Sequence, residues 1–110
     1  MQSVGLDIVD IQRFRPLLKP AGVASLRRLF TMHERTYCLR YKDPAPHFAG
    51  LFAAKEAASK ALGTKCYPFL ALEVHHSKDG APEVWRDGKR ANVRVSITHT
   101  KMFAAAVAVV

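Results

Sequence analysis

Glu56 and Lys60, an acid and a base one helical turn apart in a field of alanine, are the residues of this chain best placed for chemistry. They lie in FAAKEAASKALG, residues 52–63. Residues i and i+4 share a helix face, and alanine on every side lets another surface or a ligand approach closely. Helix propensity accounts for the alanines, but not for the clustering of two lysines and one acid within six positions. A second acid, Asp7, sits inside the otherwise apolar GLDIVD, residues 5–10. A carboxylate in an apolar strand must be paired, hydrogen-bonded or metal-bound, because an isolated buried charge is too costly. Magnesium is a hard cation that takes one or two carboxylates, waters and phosphate oxygens. If the Asp7 strand lies beside the Glu56 helix, the two acids form such a site. The competing reading makes Asp7 a salt-bridge partner and Glu56 half of a surface i,i+4 pair with Lys60, worth about 0.3–0.5 kcal/mol. Lys55 points elsewhere on the helix and is expected to meet solvent.

The elements that must position these residues follow from pattern and punctuation. Val4, Leu6 and Ile8 alternate with Gly5, Asp7 and Val9, which reads as a short half-buried strand. Asp10 can cap a short helix that Pro16 should end or kink. A second helix is expected over residues 22–30, with Leu26, Leu29 and Phe30 on its apolar side. Thr31 and Glu34 have the capping-box spacing for a third helix, to about Tyr41. After the break at Asp43-Pro44-Ala45-Pro46, Pro46 suits the first turn of the long fourth helix, and Gly63 stops it. The remainder reads as β: Leu70, Leu72 and Val74 alternate, Asp79-Gly80 and Asp87-Gly88 are turn signals, and Val93, Val95 and Ile97 lead into a last apolar strand from Phe103. A strand, helices including one long alanine-rich helix, and then a C-terminal antiparallel sheet make an α+β domain.

The bulk properties narrow the class. A chain of 110 residues, 49% hydrophobic and 24% charged, is expected to form one globular domain. It has no apolar run long enough for a membrane span and no pattern of a signal peptide. Cys38 and Cys66 are isolated and read as reduced thiols in a cytoplasmic protein. The net charge of +8 favours polyanionic partners: nucleic acid, anionic membrane, or an acidic protein together with a phosphorylated cofactor. The basic residues are scattered and not interleaved with aromatic rings as a base-stacking surface requires. Charge alone leaves the partner undecided.

GLDIVD, FAAKEAASKALG and SITHT (residues 96–100), in that order and at those distances, resemble the holo-acyl-carrier-protein synthase family of phosphopantetheinyl transferases. The resemblance runs from Val4 to Val110 and is weakest between Pro16 and Tyr41. It implies that Asp7 and Glu56 hold magnesium, and that Lys60 lies near the pantetheine and phosphates of coenzyme A. Gly63 and Thr64 end the helix where the family commonly reads GTG, and His99 and Thr100 become contacts for the nucleotide end of coenzyme A. Arg13 matches the arginine that meets the acidic helix of the carrier protein, and Arg28 is a weaker candidate for that role. Both are otherwise solvated helix residues. His75 and His76, adjacent on a strand, are read as structural. Two departures stand out: Lys65 in place of the second glycine of GTG, and Leu51 where the family often carries an arginine.

The reading is a magnesium-dependent enzyme that transfers 4′-phosphopantetheine from coenzyme A to a serine of an acyl carrier protein, with release of 3′,5′-ADP. Asp7, Glu56 and Lys60 would be its catalytic residues. A homotrimer with the site shared between subunits is implied by the resemblance, without nucleic acid or membrane as partner. The carrier protein, of fatty acid or polyketide synthesis, stays open, as does the general base. The alternatives are a catalytically silent coenzyme A or nucleotide binder of the same fold, which the two departures motivate, and a basic nucleic-acid-binding domain, motivated by charge.

Overall fold

In the computed structural model, which describes residues 2–63 and 69–110, the alanines of the long helix face alanines of a sheet. Strand β1 (Val4–Asp10) is followed by a 3-10 helix (Ile11–Leu18), a short 3-10 turn (Pro20–Gly22), α1 (Val23–Leu29), α2 (Met32–Leu39) and α3 (Ala45–Leu62). A 3-10 turn (Phe69–Ala71) then leads into β2 (Leu72–His76), β3 (Pro82–Arg86), β4 (Lys89–Arg90), β5 (Arg94–His99) and β6 (Phe103–Val109). The strands form two antiparallel three-stranded sheets, β1-β6-β5 and β2-β3-β4, rather than one C-terminal sheet. The N-terminal strand joins the C-terminal hairpin as its edge, with Asp7 opposite Ala106 and Ala106 opposite Ile97.

Local chemistry sets the boundaries. Asp10 caps the first 3-10 helix by accepting from the Gln12 N–H at 3.1 Å, and Pro16 lies inside that helix instead of ending it. A 3-10 segment closes by short i→i+3 turns, here Lys19 N–H to the Pro16 carbonyl at 3.3 Å, so the missing proline N–H does not break it. The Thr31–Glu34 capping box forms in both directions, at 2.9 and 3.2 Å. Gly63 takes the left-handed conformation, φ 74°, that terminates α3.

The buried face of β1 is the opposite of the one its large apolar residues suggest. Gly5 and Val9 are buried against α3, with Asp7 between them, while Val4, Leu6 and Ile8 are 66, 64 and 65% exposed. Small residues win the inner face because the helix lies so close. Ala53, Ala57 and Ala61 of α3 and Ala104, Ala106 and Ala108 of β6 are all buried. A β-carbon on Gly5 would stand 1.9 Å from the Ala57 carbonyl oxygen. Both sides of that contact are backbone, so Gly5→Ala must separate β1 from α3. The expected cost is about 1–3 kcal/mol, read as a melting temperature lowered by roughly 5 °C or more; an unchanged melt would contradict this packing.

Beyond α3, Phe14, Phe30, Phe48 and Phe52 form a ring cluster with centroids 4.8–6.2 Å apart, which fastens the N-terminal 3-10 helix and α1 to the helix. Among the described residues, no helix is long and apolar enough to cross a membrane.

Candidate active site

The close approach of β1 to α3 brings Asp7 and Lys60 together. The Lys60 ammonium donates to the Leu6 carbonyl at 2.8 Å and stands 3.6 Å from Asp7 Oδ1. Its partner is therefore Asp7, and the surface pair with Glu56 does not form. Glu56 lies one turn before Lys60 on the same face, half-buried, with no hydrogen bond or ion pair among the described residues. Burial raises the Asp7 pKa above the ordinary carboxylate value, opposed by the charge and hydrogen bond of Lys60 and by the charge of Arg13.

Whether these residues suit magnesium is tested by Asp7 itself. Its Oδ2 is buried and has no hydrogen-bond partner among the described residues, an arrangement proteins rarely leave unfilled. A carboxylate oxygen is the hard donor that magnesium takes, and the second candidate, Glu56, lies one turn before Lys60, the residue that meets Asp7. No cluster of three or more His, Cys, Asp or Glu side chains occurs among the described residues. A metal held by two carboxylates must therefore complete its shell with water and substrate oxygens.

Arg13 sits next to this site. Its guanidinium lies 4.9 Å from the centre of the Phe52 ring, and its charge reaches Asp7. Arg28 is on the exposed face of α1, where its nearest partner is the Ser25 hydroxyl at 3.3 Å. Gly63 ends α3 one turn beyond Ser59 and exposes its backbone beside Lys60. Thr64, together with Lys65 and Cys66, lies outside the described residues.

His99 and Thr100 are not at this end of the molecule. His99 ends β5, and its ring meets His47 of the first turn of α3 edge-on at 6.2 Å. Thirteen residues separate His47 from Lys60, about 20 Å of helix. Thr100 shapes the β5–β6 turn: its hydroxyl accepts from the N–H groups of Met102 and Phe103 at 3.2 and 3.1 Å. Within one chain, the candidate metal end and the candidate nucleotide end are apart.

The family model for the 4′-phosphopantetheinyl transferase superfamily matches residues 3–110. The chain belongs to this superfamily, in its holo-acyl-carrier-protein synthase family. It is 43% identical over 105 residues to the holo-[acyl-carrier-protein] synthase of Syntrophotalea carbinolica, covering 93% of this chain and 82% of that protein. It is 36% identical over 111 residues to the holo-[acyl-carrier-protein] synthase of Thermodesulfovibrio yellowstonii, covering 100% and 98%. Among solved structures, the Helicobacter pylori holo-[acyl-carrier-protein] synthase in complex with coenzyme A is similar, with TM-score 0.81, 31% identity and 96% of each chain covered. The Bacillus anthracis enzyme, in complex with CoA (3′,5′-ADP), gives TM-score 0.81 at 34% identity, covering 97% of this chain and 93% of that one.

One member of the family's long helix was missed by pattern reading. Lys55 is fully buried, not solvated: its ammonium donates to Glu34 Oε1 and to the Leu29 carbonyl, both at 2.8 Å. Glu34, equally buried, also accepts from the Val74 N–H at 2.8 Å. One ion pair thus joins the end of α1, the start of α2, β2 and α3. The available signal was spacing: Phe48, Leu51, Phe52, Lys55 and Ala58 follow one apolar stripe. His75 and His76 are ring contacts of α2, stacked on His33 and Tyr37 at 4.0 Å each, in keeping with a structural role.

Proposed function

We propose that Asp7 and Glu56 hold magnesium together with the pyrophosphate of coenzyme A, and that Lys60 stands beside the phosphates. The reaction follows from family membership: the chain transfers 4′-phosphopantetheine from coenzyme A to a serine of apo acyl carrier protein. The serine oxygen forms a bond to the β-phosphorus as the pyrophosphate P–O bond breaks. The serine proton goes to water or to a carboxylate, and 3′,5′-ADP leaves. The metal's contribution would be to polarise the phosphorus under attack. Lys60 would offset negative charge growing on the leaving phosphate.

The observation that carries the metal assignment is the buried, unpartnered Oδ2 of Asp7. Its test is thermal. A carboxylate whose pKa is raised by burial adds stability at low pH, and that contribution is lost as pH rises through the folded value. At neutral pH the metal-free protein therefore carries a destabilising charge. Asp7→Asn is expected to melt at or above the wild-type temperature in EDTA. Magnesium at ten times its Kd should stabilise the wild type by about 1.4 kcal/mol and leave Asp7→Asn unmoved. An equal magnesium response in both proteins would refute the assignment.

A trimer with a shared site is part of the proposal. It would explain how Lys60 and His99, whose ring neighbour His47 lies about 20 Å from Lys60 along α3, come to serve one substrate. A further support is the outer face of β1-β6-β5, where Val4, Leu6, Ile8, Phe103, Val107 and Val109 are exposed together. Light scattering at micromolar concentration should give three chain masses; a monomer would contradict the shared site. Arg13, and more weakly Arg28, are assigned to the acidic carrier protein. The +8 charge suits two anionic substrates. A cytoplasmic location completes the reading, in keeping with the free, buried Cys38 thiol, which burial and Glu34 push to a high pKa.

A further inference from the structure

A cavity of about 260 Å³ opens between the start of α3, β5 and the β2–β3 turn. Leu51, Pro82 and Ile97 give it apolar walls, and His47 and His99 stand together on one side. Among the described residues lining it there is no lysine and no arginine. The bases among those described residues are imidazoles: His47, His99 and His76. His76 is stacked on Tyr37, and its Nδ1 is buried without a hydrogen-bond partner among the described residues. Position 51, where the resembling family often has a cation, is a leucine only 2% exposed. Apolar walls suit a base, and the positive charge that the described lining of this chain can offer a phosphate is that of a histidine.

We infer that His47, paired with His99, binds the 3′-phosphate of the nucleotide and takes up a proton as it does so, replacing the guanidinium that Leu51 lacks. The inference rests on the reading of the chain as a coenzyme A-dependent transferase and adds a residue and a proton linkage to it. The His47 ring is fixed by stacking on Tyr41 at 3.5 Å, with the planes 13° apart. The groups that face it are few. His99 comes from β5, Tyr41 from the end of α2, His76 from β2, and Asp43 from the turn before α3. Asp43 is itself committed to Arg15 at 3.0 Å. Burial first, then the charge of His99, hold His47 below the ordinary imidazole pKa, with Asp43 opposing. The ring is therefore neutral at pH 7 in the free protein, and a bound dianion favours its protonated form. Affinity for the 3′-phosphate then rises as pH falls.

The test compares coenzyme A with dephospho-coenzyme A, which lacks the 3′-phosphate, by titration calorimetry at pH 7 in buffers of different ionisation enthalpy. Coenzyme A should bring an excess uptake of about half a proton or more per site over dephospho-coenzyme A. The phosphate cannot imitate this signal. Its own second pKa is about 6, so a cationic site makes it release protons, the opposite sign. His47→Phe keeps a ring on Tyr41 and should abolish the excess uptake. It should also weaken coenzyme A at pH 6 by about tenfold while changing dephospho-coenzyme A by less than about twofold. His47→Gln keeps a hydrogen-bonding group without the charge and should lose the same uptake. Equal uptake for the two ligands in the wild type would overturn the inference, as would excess uptake retained in both variants. If transfer to a carrier protein still proceeds in those cases, the transferase reading survives and His47 alone is misassigned. No binding of coenzyme A by the wild type would sink both.

Discussion

Glu56→Gln is expected to reduce phosphopantetheine transfer at least about a hundredfold while leaving the fold in place. The change keeps the shape of the side chain and removes a charge that has no partner among the described residues. Nothing in the core depends on it, so the melting temperature in EDTA should stay within about 3 °C of the wild type. Asp7→Asn should lose transfer to the same extent, because its unpartnered Oδ2 is the other oxygen assigned to the metal. Coenzyme A contacts away from the pyrophosphate remain in both variants, so rate should fall much more than nucleotide affinity. Steady-state transfer with each variant decides the matter. More than a tenth of wild-type activity in either would place the metal, or the chemistry, elsewhere.

Lys55→Met carries the largest expected effect on stability. Removing one partner of a buried ion pair leaves the other charge uncompensated, at a cost of about 3–5 kcal/mol. Domains of this kind are stable by only about 5–15 kcal/mol. Glu34 would keep its backbone donors, Thr31 and Val74, but lose the cation that neutralises it. The Phe30 and Phe69 rings on either side of the ammonium, at 5.6 and 4.6 Å, would lose it too. The melting temperature should fall by at least about 12 °C. The double change Lys55→Met with Glu34→Gln should recover part of that loss, since no buried charge is left unpaired. A single variant that melts within about 3 °C of the wild type would show that the pair contributes little. The pair also bears on the site. It fixes the rotation of α3, and the next residue, about 100° round the helix, is Glu56.

The legible parts of the sequence were those where one residue type has one physical job. The Thr31–Glu34 box, Pro46 near the start of α3, Gly63 at its end and the Asp87-Gly88 turn all do locally what their chemistry allows. Asp7 and Lys60 stand out as candidates because polar groups in apolar or alanine-rich surroundings need a reason, and the structure brings the two within 3.6 Å. The inside of β1 was not. Alternation shows that two faces differ, but large apolar residues mark the core only when the neighbouring element leaves room for them. Here α3 comes within backbone contact of Gly5, so small residues face inward and Val4, Leu6 and Ile8 face out. Lys55 was hidden by its type. A lysine reads as solvated unless its stripe on the helix is followed, and its partner Glu34 is 21 residues away in sequence. The histidines were hidden in the same way, since stacking on Tyr37 and Tyr41 is a tertiary fact.

Metal-dependent transfer from coenzyme A to a carrier protein can be read in a mass spectrum. Apo acyl carrier protein is incubated with this protein, coenzyme A and magnesium, beside an identical sample containing EDTA. The carrier protein should gain one phosphopantetheine with magnesium and none with EDTA. No gain across several carrier proteins, with coenzyme A still bound, would contradict it and leave a catalytically silent binder of the same fold.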